Sequence, residues 1–123
     1  MGRPISILLS QNKIFGNSTV TVAHSRTSNL EELCLDSDLI ISAIGKPEFI
    51  KGNMIKKDST IIDVGITRVD DSSSHKGYRI AGDVDFNSVS SRVGFITPVP
   101  GGVGPMTIAM LLKNTLKACS LSD

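Results

Sequence analysis

Several short stretches of this chain carry residue types suited to holding a flat, phosphorylated ligand. The longest is "ITPVPGGVGPMT", which sets Pro98, Pro100, Gly101, Gly102, Val103, Gly104, Pro105 and Thr107 in one run. Pro98 and Pro100 fix φ and remove two donors, so the chain enters stiff and extended. The three glycines let peptide groups meet a planar ligand with no Cβ between. Pro105 suits a first helical residue, the open N–H groups of that helix's first turn face the same place, and Thr107 adds a hydroxyl. Such a segment can clamp a heterocycle or an amide through its backbone. It can also serve simply as a rigid cap between a strand and the last helix.

A second stretch, "HSRT" at residues 24–27, follows a β-branched run and holds Ser25, Arg26 and Thr27 without a carboxylate. In dinucleotide folds an Asp or Glu at the end of the second strand takes the ribose 2′-hydroxyl of NAD, whereas an Arg accommodates the 2′-phosphate of NADP. A guanidinium fork with hydroxyls suits a dianion, so NADP is favoured over NAD if a dinucleotide binds. A solvated polar turn with an incidental arginine would look the same. His24 reads as a strand-end residue rather than a base. Lys46 in "GKP" lacks the Gly-x-x-x-x-Gly-Lys-Ser/Thr frame of a phosphate loop and reads as a loop lysine. Asp83 and Asp85 in "GDVD" lie two apart in an expected strand and so should point the same way. With no histidine or third carboxylate nearby, a strand-edge pair or a cap for the next segment fits better than a metal site.

The elements that must position these residues alternate. Pro4 opens a helical pattern with Ile5, Leu8 and Leu9, and residues 19–23 form a β-branched strand candidate. Asn29 then caps a helix carrying Glu31 and Glu32 in its first turn. Residues 39–43 and 60–64 are continuous apolar runs, the mark of strands covered on both faces. "RVDDSSSHKGY" reads as an exposed excursion, "RIAGDVDF" as a strand candidate, and Phe95–Ile96 as the last strand. A final helix over residues 107–118 puts Ile108, Leu111, Leu112 and Cys119 on one stripe. This order argues for an α/β fold, a Rossmann-like parallel sheet with flanking helices and right-handed crossovers. It lacks the usual first strand, because the chain begins at the helix. Ligands of such sheets bind beyond the carboxyl ends of the strands. That rule gathers "HSRT", "IGKP", "GITR" and the proline-glycine run on one rim.

The totals agree with one domain over residues 1–123. A net charge of +1 and an aromatic share of 4% provide neither a basic field nor stacking rings, which argues against nucleic acid. No apolar run approaches the ~18 residues of a membrane span. Cys34 and Cys119 stand far apart and read as two reduced thiols in the core of a cytoplasmic protein.

Taken in order, "HSRT", "AIGKPEFIKG", "IDVGI", "GDVDF" and "TPVPGGVGPMT" resemble the NAD(P)-binding half of the methylenetetrahydrofolate dehydrogenase/methenyltetrahydrofolate cyclohydrolase family. The resemblance runs over essentially the whole chain. It implies that Ser25 and Arg26 meet the adenosine ribose and its 2′-phosphate, and that Gly45 and Ile66 are backbone neighbours of NADP. It also implies that Pro100, Gly101, Gly102, Val103, Gly104, Pro105 and Thr107 close over the nicotinamide and the folate pterin. The reaction implied is oxidation of 5,10-methylenetetrahydrofolate by NADP⁺ and hydrolysis of the methenyl product to 10-formyltetrahydrofolate. A homodimer of the full-length protein, in the cytoplasm or an organelle, goes with it.

Departures from the family pattern bear on activity. The family's Tyr-x-x-x-Lys pair is missing, since the only tyrosine, Tyr78, is followed by "RIAG". The first strand and its Gly-Arg-Ser turn are missing too, and "GRP" at residues 2–4 corresponds to a later part of that motif. The chain therefore reads as an internal start or a fragment, with no catalytic residue and little or no turnover of its own. A non-catalytic dinucleotide-binding or partner-binding module, or a non-functional truncated product, are the alternatives.

Overall fold

The structure, a computed structural model, describes residues 1–121. Three parallel strands form its main sheet in the order β1 (Leu39–Ser42), β2 (Thr60–Asp63), β5 (Phe95–Ile96). The register pairs Ser42 with Asp63 and Ile61 with Ile96, so all three strands end on one rim. The α2 helix (Leu30–Asp36) and a 3-10 turn (Gly52–Met54) lead into β1 and β2 respectively. The core packs fully buried Ile55, Ile61 and Val89 with Ile50, Met54, Val84 and Cys34. Residues 48–50 run beside residues 82–84, with a parallel bridge between Ile50 and Val84, and this brings residues 82–84 under the rim.

The sheet departs from expectation at its β1 edge. β1 is only partly covered, and Leu39 remains 41% exposed. Residues 19–23 join no ladder, so the expected strand there is absent. The reason lies in strand order. In a doubly wound sheet of order 2-1-3-4-5 the second strand bonds only to the first. The sheet β1-β2-β5 is the 3-4-5 run of that order, and no strand precedes α1 (Gly2–Ser10) among the described residues. A β-branched run has strand propensity, yet without a partner it forms no ladder.

The exposed excursion is a correction as well. Its ends form a hairpin, β3 (Thr67–Asp70) antiparallel to β4 (Tyr78–Ala81), with Arg68 packed over the Tyr78 ring. Only residues 71–77 are loop. The last helix, α4 (Val103–Ser120), starts four residues earlier than the pattern suggested. None of its described residues is buried, so Ile108, Leu111, Leu112 and Cys119 face outward. Of the two thiols, only Cys34 is in the core, where burial first and Glu31 second push its pKa up.

Asp83 and Asp85 do not form a pair. The chain leaves β4 at Ala81, and Asp85 becomes the N-cap of α3 (Phe86–Val89), accepting from Ser88 N–H and from Lys51 Nζ. Partial burial pushes the Asp85 carboxyl up, but those bonds outweigh it and hold its pKa below the ordinary value. Its contribution is therefore present above the unfolded pKa near 4 and fades as pH falls through the lower folded value. Asp85→Ala should cost about 1 kcal/mol of stability at pH 7. The gap between the two unfolding curves should narrow as pH falls below the ordinary carboxylate range, and a gap of undiminished size there would count against the charged cap.

Candidate functional site

Three turns form the rim. The chain leaves β1 through Ala43, Ile44 and Gly45, leaves β2 through Val64, Gly65 and Ile66, and leaves β5 through Thr97 into the proline-glycine run. Gly45 has φ +77° with open space where a Cβ would stand, so its backbone conformation calls for glycine there. Ile66 is 69% exposed, a large apolar side chain left at the mouth. Thr97 is locked to β2, donating its N–H to the Ile61 carbonyl and accepting from Asp63 N–H at 2.8 Å. The proline-glycine run thus departs directly beside the β2 turn.

Within that run the glycines differ. Gly101 has φ +99° and opens to space, whereas a Cβ on Gly102 would strike the Pro98 carbonyl oxygen. Gly102 is bare where the loop folds back against itself. Val103, Gly104 and Pro105 lie in the first turn of α4, which corrects the expectation of a loop as far as Thr107. The Val99–Pro100 peptide is cis. Gly102 gives α4 no side-chain cap, and Pro105 has no N–H, so the first-turn amides of Val103 and Gly104 stay open. The Thr107 hydroxyl donates to the Val103 carbonyl at 3.0 Å, leaving only its lone pairs for another group.

The "HSRT" turn is closed by its own bonds. Thr27 N–H donates to the His24 carbonyl, His24 N–H donates to Thr27 Oγ1, and Arg26 N–H donates to His24 Nδ1. His24 is thereby a turn-former rather than the strand-end residue expected, since no strand forms at residues 19–23. Ser25 and Arg26 are exposed, and the Arg26 guanidinium has no ion pair among the described residues. An open cleft of about 400 Å³ separates Thr27–Asn29 from Phe49, four residues past Gly45, so this turn lies near the β1 loop. Lys46 in that loop sits over the Phe49 ring at 5.5 Å.

Behind the rim lie two buried carboxylates. Asp83 is fully buried, and its oxygens accept the N–H groups of Ile44 and Gly45 and the Ser42 hydroxyl. Asp63 is 3% exposed and accepts from Gly65, Asp83 and Val84 N–H at 2.9, 3.1 and 3.0 Å. Neither has an ion-pair partner among the described residues. Burying an unpaired carboxylate costs several kcal/mol, and bonds from backbone amides are what offset it here. Two glycines make the room: a Cβ on Gly65 would overlap the Asp83 carboxyl, and one on Gly82 would overlap that of Asp63. Sequence reasoning passed over Asp63. A lone carboxylate in the apolar run "STIIDVGI", two residues before a glycine, is the signal of an Asx turn, and Gly65 N–H does bond Asp63.

A doubly wound α/β fold with glycine-rich turns gathered at the carboxyl ends of its parallel strands defines the class of dinucleotide-binding domains. The chain belongs to the tetrahydrofolate dehydrogenase/cyclohydrolase NAD(P)-binding domain family, whose model matches residues 1–123. It is 63% identical over 118 residues to the bifunctional protein FolD of Flavobacterium johnsoniae, covering 96% of this chain and 40% of that one. Over all 123 residues it is 58% identical to FolD of Protochlamydia amoebophila, of which it covers 42%. Among solved structures, FolD of Campylobacter jejuni superposes with a TM-score of 0.84 at 44% identity, over 99% of this chain and 40% of its own. The Trypanosoma brucei enzyme, complexed with NADP cofactor and inhibitor, gives 0.79 at 48% identity over 85% of this chain and 36% of its own. The chain thus spans about two fifths of the length of the curated relatives it matches.

Proposed function

We propose that this chain supplies the NADP-binding part of a bifunctional methylenetetrahydrofolate dehydrogenase/methenyltetrahydrofolate cyclohydrolase. One observation carries the proposal: the turns after β1, β2 and β5 end on a single rim, built to leave backbone exposed. Arg26 and Ser25 hold the ribose 2′-phosphate, the free guanidinium forming a charge-assisted fork with it. The main chain at Gly45 and Ile66 lines the dinucleotide. Pro100, Gly101 and the first turn of α4 from Val103 to Thr107, with Gly102 shaping the turn, close over the nicotinamide and the folate. NADP⁺, when bound, accepts the hydride from the one-carbon bridge of 5,10-methylenetetrahydrofolate. The residues of this chain orient the two rings and keep water from the face where they meet.

No catalytic residue is assigned within the chain, which holds no Tyr-x-x-x-Lys. Turnover then depends on the portion of the relatives' length that lies outside the match. The outward apolar stripe of α4 supports contact with that portion or with a second copy, and a homodimer of the full-length enzyme is part of the proposal. The reduced cysteines favour a cytoplasmic or organellar location. The domain reading is of one unit over residues 1–123.

Titration of the purified chain against NADPH and NADH, read by nicotinamide fluorescence, tests the binding half of this reading. NADPH should bind at least tenfold more tightly, and equal affinities would refute the 2′-phosphate site. With 5,10-methylenetetrahydrofolate and NADP⁺ the chain alone should show no turnover above background. A rate close to that of a full-length relative would refute the division of labour.

A further inference from the structure

Nothing in the proposed function uses the buried carboxylates of Asp63 and Asp83, yet two glycines are kept bare to admit them. Their bonds have a direction. The N–H groups of Ile44 and Gly45 both turn inward to Asp83. The peptides of this turn are trans, the only cis bond among the described residues being Val99–Pro100. In a trans peptide the carbonyl points opposite to the N–H. The Ala43 and Ile44 carbonyls therefore face away from Asp83, on the exposed side of the rim.

We infer that Asp83 is a positioning residue for the cofactor-facing turn after β1, and that Asp63 is the strut that fixes Asp83. The inference rests on the dinucleotide reading above. Asp63 sits at the end of β2 and bonds the amide of Asp83 itself, that of Val84 next to it, and that of Gly65 beside Ile66. One chain of bonds thus runs from the β2 turn through the two carboxylates to the β1 turn. It sets the spacing of Gly45 and Ile66, the two places where the main chain lines the ligand. The bond from Ser42 Oγ to Asp83, at 3.4 Å, is the weakest link and adds little. A pair that merely filled the core would not need to hold two consecutive amides of an exposed turn at φ +77°.

Two readouts on the 123-residue chain test this, one of the turn and one of the ligand. In the wild type, the Ile44 and Gly45 amides should exchange slowly with deuterium although both residues are exposed. Asp83→Asn keeps an oxygen where Oδ2 now takes both amides, but sets an NH₂ group beside Gly45 N–H. It should retain part of that protection and weaken NADPH binding about tenfold, while the Val89 amide in the core stays protected. Asp83→Ala should release both amides and weaken binding further. If Asp83→Asn shifts the two amides and leaves NADPH affinity unchanged, the positioning role is wrong. Fast exchange of both amides in the wild type overturns it without any variant having to fold. Protected amides in a wild-type chain that binds no NADPH would overturn the dinucleotide reading, and the positioning role with it.

Discussion

Gly82→Ala should destabilise the chain by at least about 3 kcal/mol, the range of severe core overpacking. The new methyl would overlap Asp63 Oδ2 and stand 2.9 Å from Val99 Cγ2. Asp63 has nowhere to go, because its carboxylate holds the amides of Gly65, Asp83 and Val84. Moving it strands three buried donors; leaving it forces Gly82 away from the Glu48 amide that its carbonyl accepts at 2.9 Å. Gly104→Ala is the matched control. Nothing lies within 4 Å of its Cβ position, and it stands inside α4. There alanine should stabilise by roughly 0.5–1 kcal/mol through helix propensity alone. The same added methyl thus has opposite signs at two sites. Thermal unfolding followed by circular dichroism should show a drop on the order of 10–20 °C for Gly82→Ala. A drop under a few degrees would mean that the carboxylates are more loosely held than their bonds indicate.

Arg26→Ala should weaken NADPH binding by roughly 10- to 100-fold while leaving NADH nearly unchanged, the scale of one bidentate charge-assisted contact. The guanidinium has no ion pair among the described residues, so its removal breaks no internal bond and the loss can be read as lost ligand contact. The turn itself should survive, since it is held by His24 and Thr27 and by the Arg26 main chain. Arg26→Lys keeps the charge without the planar fork and should fall between. Raising the salt concentration should shrink the difference between wild type and variant, because the contact is exposed and screened. Equal weakening of NADPH and NADH would show that Arg26 supports the turn rather than the phosphate.

How much of this was legible beforehand follows the range of each interaction. Parallel strands announce themselves as short apolar runs, and β1 and β2 lie at the runs 39–43 and 60–64, although β1 is only partly covered, while β5 falls at Phe95–Ile96. The α2 helix begins after Asn29, although its side chain makes no capping bond. The five ordered motifs pointed to the family that the comparison found over residues 1–123. The hairpin of β3 and β4 escaped because a seven-residue serine-rich loop obscured the pairing of its flanks, Thr67 with Ala81 and Asp70 with Tyr78. The start of α4 escaped because glycine and proline read as loop, although proline is tolerated in a first helical turn.

The sequence alone determined the local facts: which runs are apolar enough to be strands, which residues free or fix the backbone, and that Arg26 stands in a carboxylate-free turn. Each depends on neighbours a few positions apart. Only the folded chain decided that residues 19–23 stay unpaired, that Gly102 serves its own loop, and that Asp63 and Asp83 meet across twenty residues to bind the rim together. Ladder partners, carboxylate acceptors and the space left by a missing Cβ are set by distant segments arriving at one place. No local pattern encodes that arrival.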